Sequence, residues 1–188
     1  TYILLKGKKM KAAIILATGF EEIEAIAPLD ILRRGGVDAS LVGLDAREVV
    51  GAHGVSIKTD STLKSYDFST CDMIILPGGL PGAEHLSESS ELRELLLTQA
   101  NSGKYCAAIC AAPMALAKAG LIKGAYTCYP GFESKVSTSA PSKEKVVIEG
   151  KIITSRGPGT AYDFGLALLE LLAGRAKRDE VAKGMLLA

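Results

Sequence analysis

The sequence predicts a three-layer α/β/α sandwich built on a mostly parallel β-sheet. Short continuous apolar runs, typical of strands buried on both faces of a parallel sheet, recur along the chain. Segments with helical spacing of apolar residues alternate with these runs, and the connections are short and rich in glycine and proline. A chain of 188 residues, 48% of them hydrophobic, is long enough to bury the core of one such domain.

The first half of the chain begins this alternation. Lys11 to Ala17 is a continuous apolar strand, and Glu21 to Arg34 is a helix that stops at Gly35-Gly36. Pro28 lies inside that helix, so we expect a kink or a later helix start there. The other elements predicted in this half are strands at Ala39 to Leu44 and Met73 to Leu76, and a small β-hairpin of Val49-Val50 with Val55 to Thr59.

The second half continues the same pattern. Ser90 is expected to cap a helix from Glu91 to Ser102. The next apolar strand ends at Cys110, where a helix that reaches Ala119 follows at once. The remaining predicted elements are a short strand at Tyr126 to Cys128, a hairpin of Val146 to Glu149 with Lys151 to Thr154, a helix from about Ala161, and a last helix from about Asp179 to Leu187.

Residues 10–188 are expected to form this single domain. Residues 1–9 precede Met10 and are interpreted as an N-terminal extension outside the fold. The absence of a long apolar stretch or a visible signal peptide predicts a cytoplasmic protein without membrane association.

The composition excludes several classes of partner. The formal net charge is +1 and the basic residues are dispersed, which argues against a nucleic-acid or anionic-membrane surface. No two of the four cysteines form a CxxC pair, and only His53 and His85 could assist them, so we predict no metal site and reduced thiols. The cysteines are Cys71, Cys106, Cys110 and Cys128.

The sharp passage from strand to helix at Cys110 predicts a nucleophile elbow. A side chain at such a turn is pushed out of the sheet edge, beside helix amides that have no intrahelical partner. Those amides and the helix dipole favour a thiolate, so we expect a lowered pKa for Cys110. The alternative is an inert buried cysteine in an alanine-rich core.

Three further loops should lie beside this elbow, because ligands of open α/β sheets bind outside the carboxyl ends of the strands. The loops are residues 18–24, 77–82 and 155–160. Gly79 has no side chain to shield its amide and is a candidate oxyanion donor, although a Pro-Gly-Gly sequence can also be only a strand-ending turn. The loop containing Gly157 and Pro158 resembles a weak phosphate loop but lacks the Walker lysine.

Glu24 is the acidic residue of interest in the first loop. Glu21 and Glu22 fit simple charge compensation at a helix start, whereas Glu24 lies one turn in, on the apolar stripe. Burial there would favour a protonated carboxyl. Such a carboxyl could donate a hydrogen bond to a nearby sulfur.

Four motifs, in order and spacing, resemble the ThiJ/PfpI superfamily, in the branch of the parkinsonism-associated protein deglycase and its bacterial relatives. The resemblance covers Met10 to about Leu187. The motifs are ILATGFEEIEA at 15–25, LPGG at 76–79, AICAAP at 108–113 and SRGPGTA at 155–161.

The resemblance implies a flavodoxin-like homodimer that uses no cofactor. By position, Cys110 would be the nucleophile, Glu24 its protonated partner, and the amides of Gly79 and Ala111 the oxyanion pocket. Tyr129, Gly157 and Pro158 would complete the substrate-binding set. Family members are associated with conversion of methylglyoxal to lactate, with deglycase activity on glycated amines, and with oxidation of the cysteine to a sulfinate.

The chain departs from the family pattern at Tyr129, where active relatives have a histidine before the proline. Three hypotheses therefore stay open: an enzyme of aldehyde stress, an oxidative-stress sensor or protective protein, and a cysteine peptidase. Ala111 stands where the peptidase would need its histidine, which disfavours the third. His53 falls where a relative has an arginine near the dimer seam, and a solvated hairpin position is the alternative. Cys128 is a candidate resolving thiol or a core residue.

Overall fold

A computed structural model describes residues 9–187. Its strands are β1 (Lys11–Leu16), β2 (Asp38–Gly43), β3 (Glu48–Val50), β4 (Ser56–Lys58), β5 (Ser61–Thr62), β6 (Met73–Leu76), β7 (Tyr105–Ile109), β8 (Val146–Glu149) and β9 (Ile152–Ser155). Its helices are α1 (Glu22–Arg34), α2 (Gly82–Glu88), α3 (Ser90–Asn101), α4 (Pro113–Lys118), α5 (Glu133–Val136), α6 (Ala161–Ala173) and α7 (Arg175–Gly184).

The predicted sandwich is confirmed. Seven strands form one sheet in the order β5-β2-β1-β6-β7-β9-β8, and β8 is its antiparallel edge, while β3 and β4 form the separate hairpin. One helix layer contains α1, α6 and α7, and the other contains α2, α3 and α4. The inner strands β1, β6 and β7 are almost completely buried, which accounts for their continuous apolar runs.

The strand order places the candidate site. The chain passes from β1 to β2 on one side and returns to β6 on the other, so the crevice between β1 and β6 is a topological switch point. Because β1, β6 and β7 are neighbours with parallel directions, their carboxyl ends open to the same edge. The loop before α1, the loop after β6 and the turn after β7 therefore meet there.

Four local predictions need correction. Pro28 does not delay α1, which starts at Glu22, runs through Pro28 to Arg34 and packs against α6; the alternative expectation of a kink there stays a prediction. The segment 126–128 is not a strand, since the Thr127 N–H donates to Thr154 Oγ1 instead of a strand carbonyl. The last helix starts at Arg175, directly after Gly174 at φ +85°. The cap of α3 is Ser89, whose Oγ accepts the Leu92 N–H at 3.1 Å.

The predicted extension at residues 1–9 falls, apart from Lys9, outside the described residues. Across residues 9–187, no helix combines the length and hydropathy required to cross a membrane.

Candidate active site

Cys110 lies in a strained turn immediately after β7. Its φ is +67°, a left-handed conformation that non-glycine residues adopt rarely and that commonly marks functional sites. The turn is held from both sides, because the Cys110 N–H donates to the Ser155 carbonyl at 3.0 Å and its carbonyl accepts from the Tyr129 N–H at 2.9 Å. The predicted sharp turn is thus confirmed, and it joins the loop after β9 to the segment at Tyr129.

The helix that follows differs from the prediction. It begins at Pro113, three residues beyond Cys110, and has six residues. The Ala112 N–H donates to the Ile109 carbonyl, and the Met114 N–H donates to the Ala111 carbonyl. Most of the amides expected to be free therefore already donate to backbone carbonyls. The dipole of so short a helix contributes little to stabilising a thiolate at Cys110.

The first turn of α1 positions Glu24 beside the Cys110 sulfur. Glu21 caps this helix, its Oε2 accepting the Glu24 N–H at 2.8 Å. The Glu24 side chain is fully buried, and its Oε2 accepts the Gly78 N–H at 2.7 Å. The other carboxyl oxygen, Oε1, has no nitrogen or oxygen partner among residues 9–187. A proton carried on Oε1 would therefore leave the bond between Oε2 and the Gly78 N–H undisturbed.

The electrostatics of this carboxyl agree with the prediction. Burial raises the pKa of Glu24 to about 7, and hydrogen bonds from Cys110 and Gly78 oppose part of that rise. Both the protonated and the ionised form of Glu24 are consequently accessible near neutral pH. It can exchange a proton with its neighbour in either direction.

The expected lowering of the Cys110 pKa is wrong. Burial, together with the charge and hydrogen bond of Glu24, raises the pKa of this thiol to about 12. Hydrogen bonds from the Gly79 and Ala111 amides act in the opposite direction and are outweighed. The resting sulfur is a thiol, so its ionisation has to be coupled to proton uptake by a neighbouring base.

The two amides predicted as oxyanion donors do converge on this sulfur. Gly79 has φ +85°, and an added Cβ would lie 2.4 Å from the Glu21 nitrogen and 2.5 Å from the Gly19 carbonyl oxygen. A side chain is excluded there by both backbone conformation and space. The loops after β1 and β6 are therefore packed backbone to backbone beside Cys110.

Gly78 is a site residue that the sequence analysis missed. A Cβ at this position would lie 2.6 Å from the Cys110 Cβ and 2.7 Å from Glu24 Oε2. The residue is a spacer between the two reactive side chains, and its amide holds the carboxyl. The sequence signal for this role was the pair of adjacent glycines in LPGG, since a turn alone requires only one glycine.

The other predicted substrate residues line a shallow pocket of about 190 Å³. Tyr129 is 45% exposed, and its ring packs on Gly157, where an added Cβ would lie 3.1 Å from Cδ2. Pro158 forms part of the same wall, together with Arg156. The structure thus brings Tyr129, Gly157 and Pro158 together, next to the Cys110 backbone.

His53 occupies the exposed tip of the hairpin and is held by α1. Its Nδ1 lies 2.8 Å from Glu22 Oε2, which raises the His53 pKa, and its N–H donates to Glu22 Oε1. Glu21, Glu22 and His53 place one possible metal-ligand atom each within 4.8 Å of one another. Glu21 Oε2 and Glu22 Oε1 already accept hydrogen bonds from backbone N–H groups. The predicted absence of a metal stays a prediction.

All four cysteines are free and buried. Cys110 is the least enclosed of them, at 9% exposure against 3% for Cys128 and none for Cys71 and Cys106. Burial raises the pKa of Cys128 to about 11. Its role as a resolving thiol remains a prediction.

The fold and the site together define a class of α/β proteins with a cysteine-centred site. The fold is a flavodoxin-like sandwich, and the site combines a cysteine in a strained turn with a buried glutamate and two converging amides. The chain belongs to the DJ-1/PfpI family, whose family model matches residues 10–171.

Individual relatives agree over nearly the whole chain. Protein dj-1beta of Drosophila melanogaster is 44% identical over 181 residues, which cover 94% of this chain and 97% of the relative. The glutathione-independent glyoxalase DJR-1.2 of Caenorhabditis elegans is 38% identical over 95% of this chain and 97% of its own. The crystal structure of Drosophila melanogaster DJ-1beta superposes with a TM-score of 0.91 at 42% identity, covering 96% of this chain and 99% of that one.

Proposed function

We propose that this protein is a cofactor-independent, cysteine-dependent enzyme of aldehyde stress that acts on methylglyoxal or on glycated amines, as a glyoxalase or deglycase. The observation that carries the proposal is the pairing of Cys110 with a fully buried Glu24 whose pKa is raised to about 7. The glyoxalase activity in the name of the Caenorhabditis elegans relative supports it.

The first step uses Glu24 as a base. Its carboxylate takes the thiol proton while the Cys110 sulfur bonds to the aldehyde carbon of methylglyoxal. The electron pair of the carbonyl moves to oxygen, where the Gly79 and Ala111 amides donate hydrogen bonds. Returning the proton to that oxygen gives a hemithioacetal.

The second step is an internal oxidation and reduction. A base removes the proton from the first carbon and a proton is returned at the second, so the first carbon becomes a thioester carbonyl and the second an alcohol. Water then hydrolyses the thioester, which releases lactate and restores the thiol. Glu24 is the titrating side chain beside the sulfur that can carry these protons.

The direct test is lactate formation from methylglyoxal. Wild type should form lactate and Cys110→Ser should not, because an alcohol is a far weaker nucleophile than a thiolate. Cys71→Ser is the matched control, since a hydroxyl can replace the thiol that lies 3.1 Å from the Met73 carbonyl. Equal rates in wild type and Cys110→Ser would refute the proposal.

An alternative function is an oxidative-stress sensor or protective protein. The unpartnered Glu24 Oε1 favours it, because a proton there could bind a sulfinate on Cys110. Two equivalents of peroxide would convert the thiol to the sulfinate and release two water molecules. If wild type forms no lactate but gains two oxygens by intact mass, and Cys110→Ser gains none, this alternative replaces the enzyme.

Tyr129 is expected to limit turnover. A phenol is a poor proton shuttle at neutral pH, whereas imidazole titrates near it. Tyr129→His should raise kcat by about 10-fold or more and add a pH dependence near 6.5, because one general acid–base contributes on the order of 10² to 10⁴ in rate. Steady-state kinetics from pH 5.5 to 8.5 measure this effect. Equal losses in Tyr129→His and Tyr129→Phe would instead assign a role to the hydroxyl.

We also propose a homodimer formed through α1. Ile23 and Ile26 of this helix are 49% and 40% exposed and line an apolar groove with Tyr162 of α6. Asp30 and Arg34 pair with each other at 2.7 Å, so the groove rather than these charges would provide the contact.

Light scattering after size exclusion should give a dimer mass at micromolar concentration. The double variant Ile23→Glu/Ile26→Glu should give a monomer, because two charges would be buried in the interface. Leu97→Glu, on α3 in the opposite layer, is the control and should remain dimeric. A monomeric wild type would contradict the proposal.

A further inference from the structure

The strongest unassigned feature is the cationic side chain of Arg156, in the wall of the pocket next to the Cys110 turn. Arg156 is half-buried and makes no ion pair with any residue in the 9–187 range. Its charge bears on the Cys128 thiol, where it opposes part of the rise in pKa that burial causes. The backbone N–H of Arg156 donates to Thr160 Oγ1, and this hydrogen bond holds the backbone at Arg156 in place.

The position of Arg156 is tied to that of Cys110. Arg156 directly follows Ser155, whose carbonyl accepts the Cys110 N–H at 3.0 Å. Tyr129, which lines the same pocket, donates its N–H to the Cys110 carbonyl. The pocket wall is therefore connected to the cysteine turn by two backbone hydrogen bonds.

The pocket is suited to one end of a small anionic molecule. The pocket is small, with a volume of about 190 Å³. Apart from Arg156 and the Tyr129 and Thr160 hydroxyls, its walls are proline, glycine and backbone. Among residues 9–187, no acidic residue lines the pocket. Glu133, whose charge acts on the Cys128 thiol, accepts the Gly131 N–H at its Oε2.

We infer that Arg156 is a specificity residue that selects α-oxoaldehydes carrying a carboxylate away from the reactive carbonyls. This inference rests on the proposed function and names the substrate class of the same site. A guanidinium offers paired donors that match a carboxylate, and such charge-assisted hydrogen bonds are stronger than those between neutral groups.

The reaction for such a substrate balances without a further reactant. In 4,5-dioxopentanoate, the sulfur adds to the aldehyde carbon, that carbon is oxidised to the thioester, and the neighbouring ketone is reduced to an alcohol. Hydrolysis by one water releases 2-hydroxyglutarate, and the thiol is restored. The remote carboxylate is unchanged and stays on Arg156 throughout.

The test compares two substrates in wild type and three variants. The ratio of kcat/KM for 4,5-dioxopentanoate to that for methylglyoxal should fall by about 10- to 100-fold in Arg156→Gln, the equivalent of one hydrogen bond to a charged group. Arg156→Lys should recover part of the ratio, because it keeps the charge but not the paired donors. Arg93→Gln on α3 removes one positive charge elsewhere and should leave the ratio within about twofold. An unchanged ratio in Arg156→Gln would overturn the inference.

A second measurement separates this inference from the proposed function. If wild type converts neither aldehyde, the enzyme proposal fails, and binding alone then decides the role of Arg156. The probe is 4-oxopentanoate, a carboxylate without an aldehyde, added during alkylation of Cys110 by iodoacetamide. It should slow alkylation several-fold in wild type and Arg93→Gln but not in Arg156→Gln. Equal protection in all three proteins, or none in any, would refute a carboxylate site at Arg156.

Discussion

Replacing Glu24 with glutamine is expected to remove turnover and, at the same time, to stabilise the protein at neutral pH. The amide oxygen can still accept the Gly78 N–H, which now binds Glu24 Oε2 at 2.7 Å. The amide cannot take the proton of Cys110, so kcat/KM should fall by about 10² to 10⁴. Loss of activity together with a gain in stability is what a functional buried carboxyl predicts.

The pH dependence of the stability gain has a definite sign. Burial raises the pKa of Glu24 from 4.5 to about 7, so the folded state holds this proton more tightly than the unfolded state. Below about pH 4.5 the carboxyl is protonated in both states and wild type loses nothing. As the pH rises from about 4.5 to about 7, wild type loses stability relative to Glu24→Gln, by about 3 kcal/mol in total.

Chemical denaturation at pH 4.5 and pH 8 measures this difference, and lactate formation measures the activity. Glu24→Ala is the contrasting variant, because it leaves the Gly78 N–H without its acceptor and opens a cavity, so it should be less stable at both pH values. A Glu24→Gln protein that is active, or that is no more stable than wild type at pH 8, would contradict the assignment of Glu24.

The second large effect is expected at Gly78. An alanine methyl group there would lie 2.6 Å from the Cys110 Cβ and 2.7 Å from Glu24 Oε2, which no side-chain rotation of Cys110 can relieve for its Cβ. The cysteine and the carboxyl must move apart, so kcat/KM should fall by about 100-fold or more. Overpacking should also lower the free energy of unfolding by about 1–3 kcal/mol.

Gly184→Ala is the matched control for this substitution. Nothing lies within 4 Å of the Cβ that it adds, and its φ is outside the left-handed region. It should keep both the stability and the rate of wild type. Full activity in Gly78→Ala would show that the distance between Glu24 and Cys110 does not matter for turnover.

The sequence was sufficient for the fold and for the position of the main candidate residues at one edge of the sheet. Continuous apolar runs identified β1, β6 and β7 because a strand covered on both faces has no polar positions. The rule that parallel strands share one carboxyl edge then predicted that Glu24, Gly79 and Cys110 lie at the same place. Burial of Glu24 followed from its position on the apolar stripe of α1, and the structure confirms it.

Tertiary structure decided the protonation of the cysteine and the contacts at the pocket. A helix start argued for a lowered thiol pKa, but desolvation depends on what surrounds the sulfur in three dimensions, and here it raises the pKa of Cys110. The spacer role of Gly78 depends on the loop after β6 lying between α1 and the turn after β7. Gly78 and Glu24, which are joined by a hydrogen bond, are 54 residues apart in the sequence. Local patterns determine which residues are buried and which turns occur, whereas the free energy of an ionised group depends on distances between segments that the sequence does not encode locally.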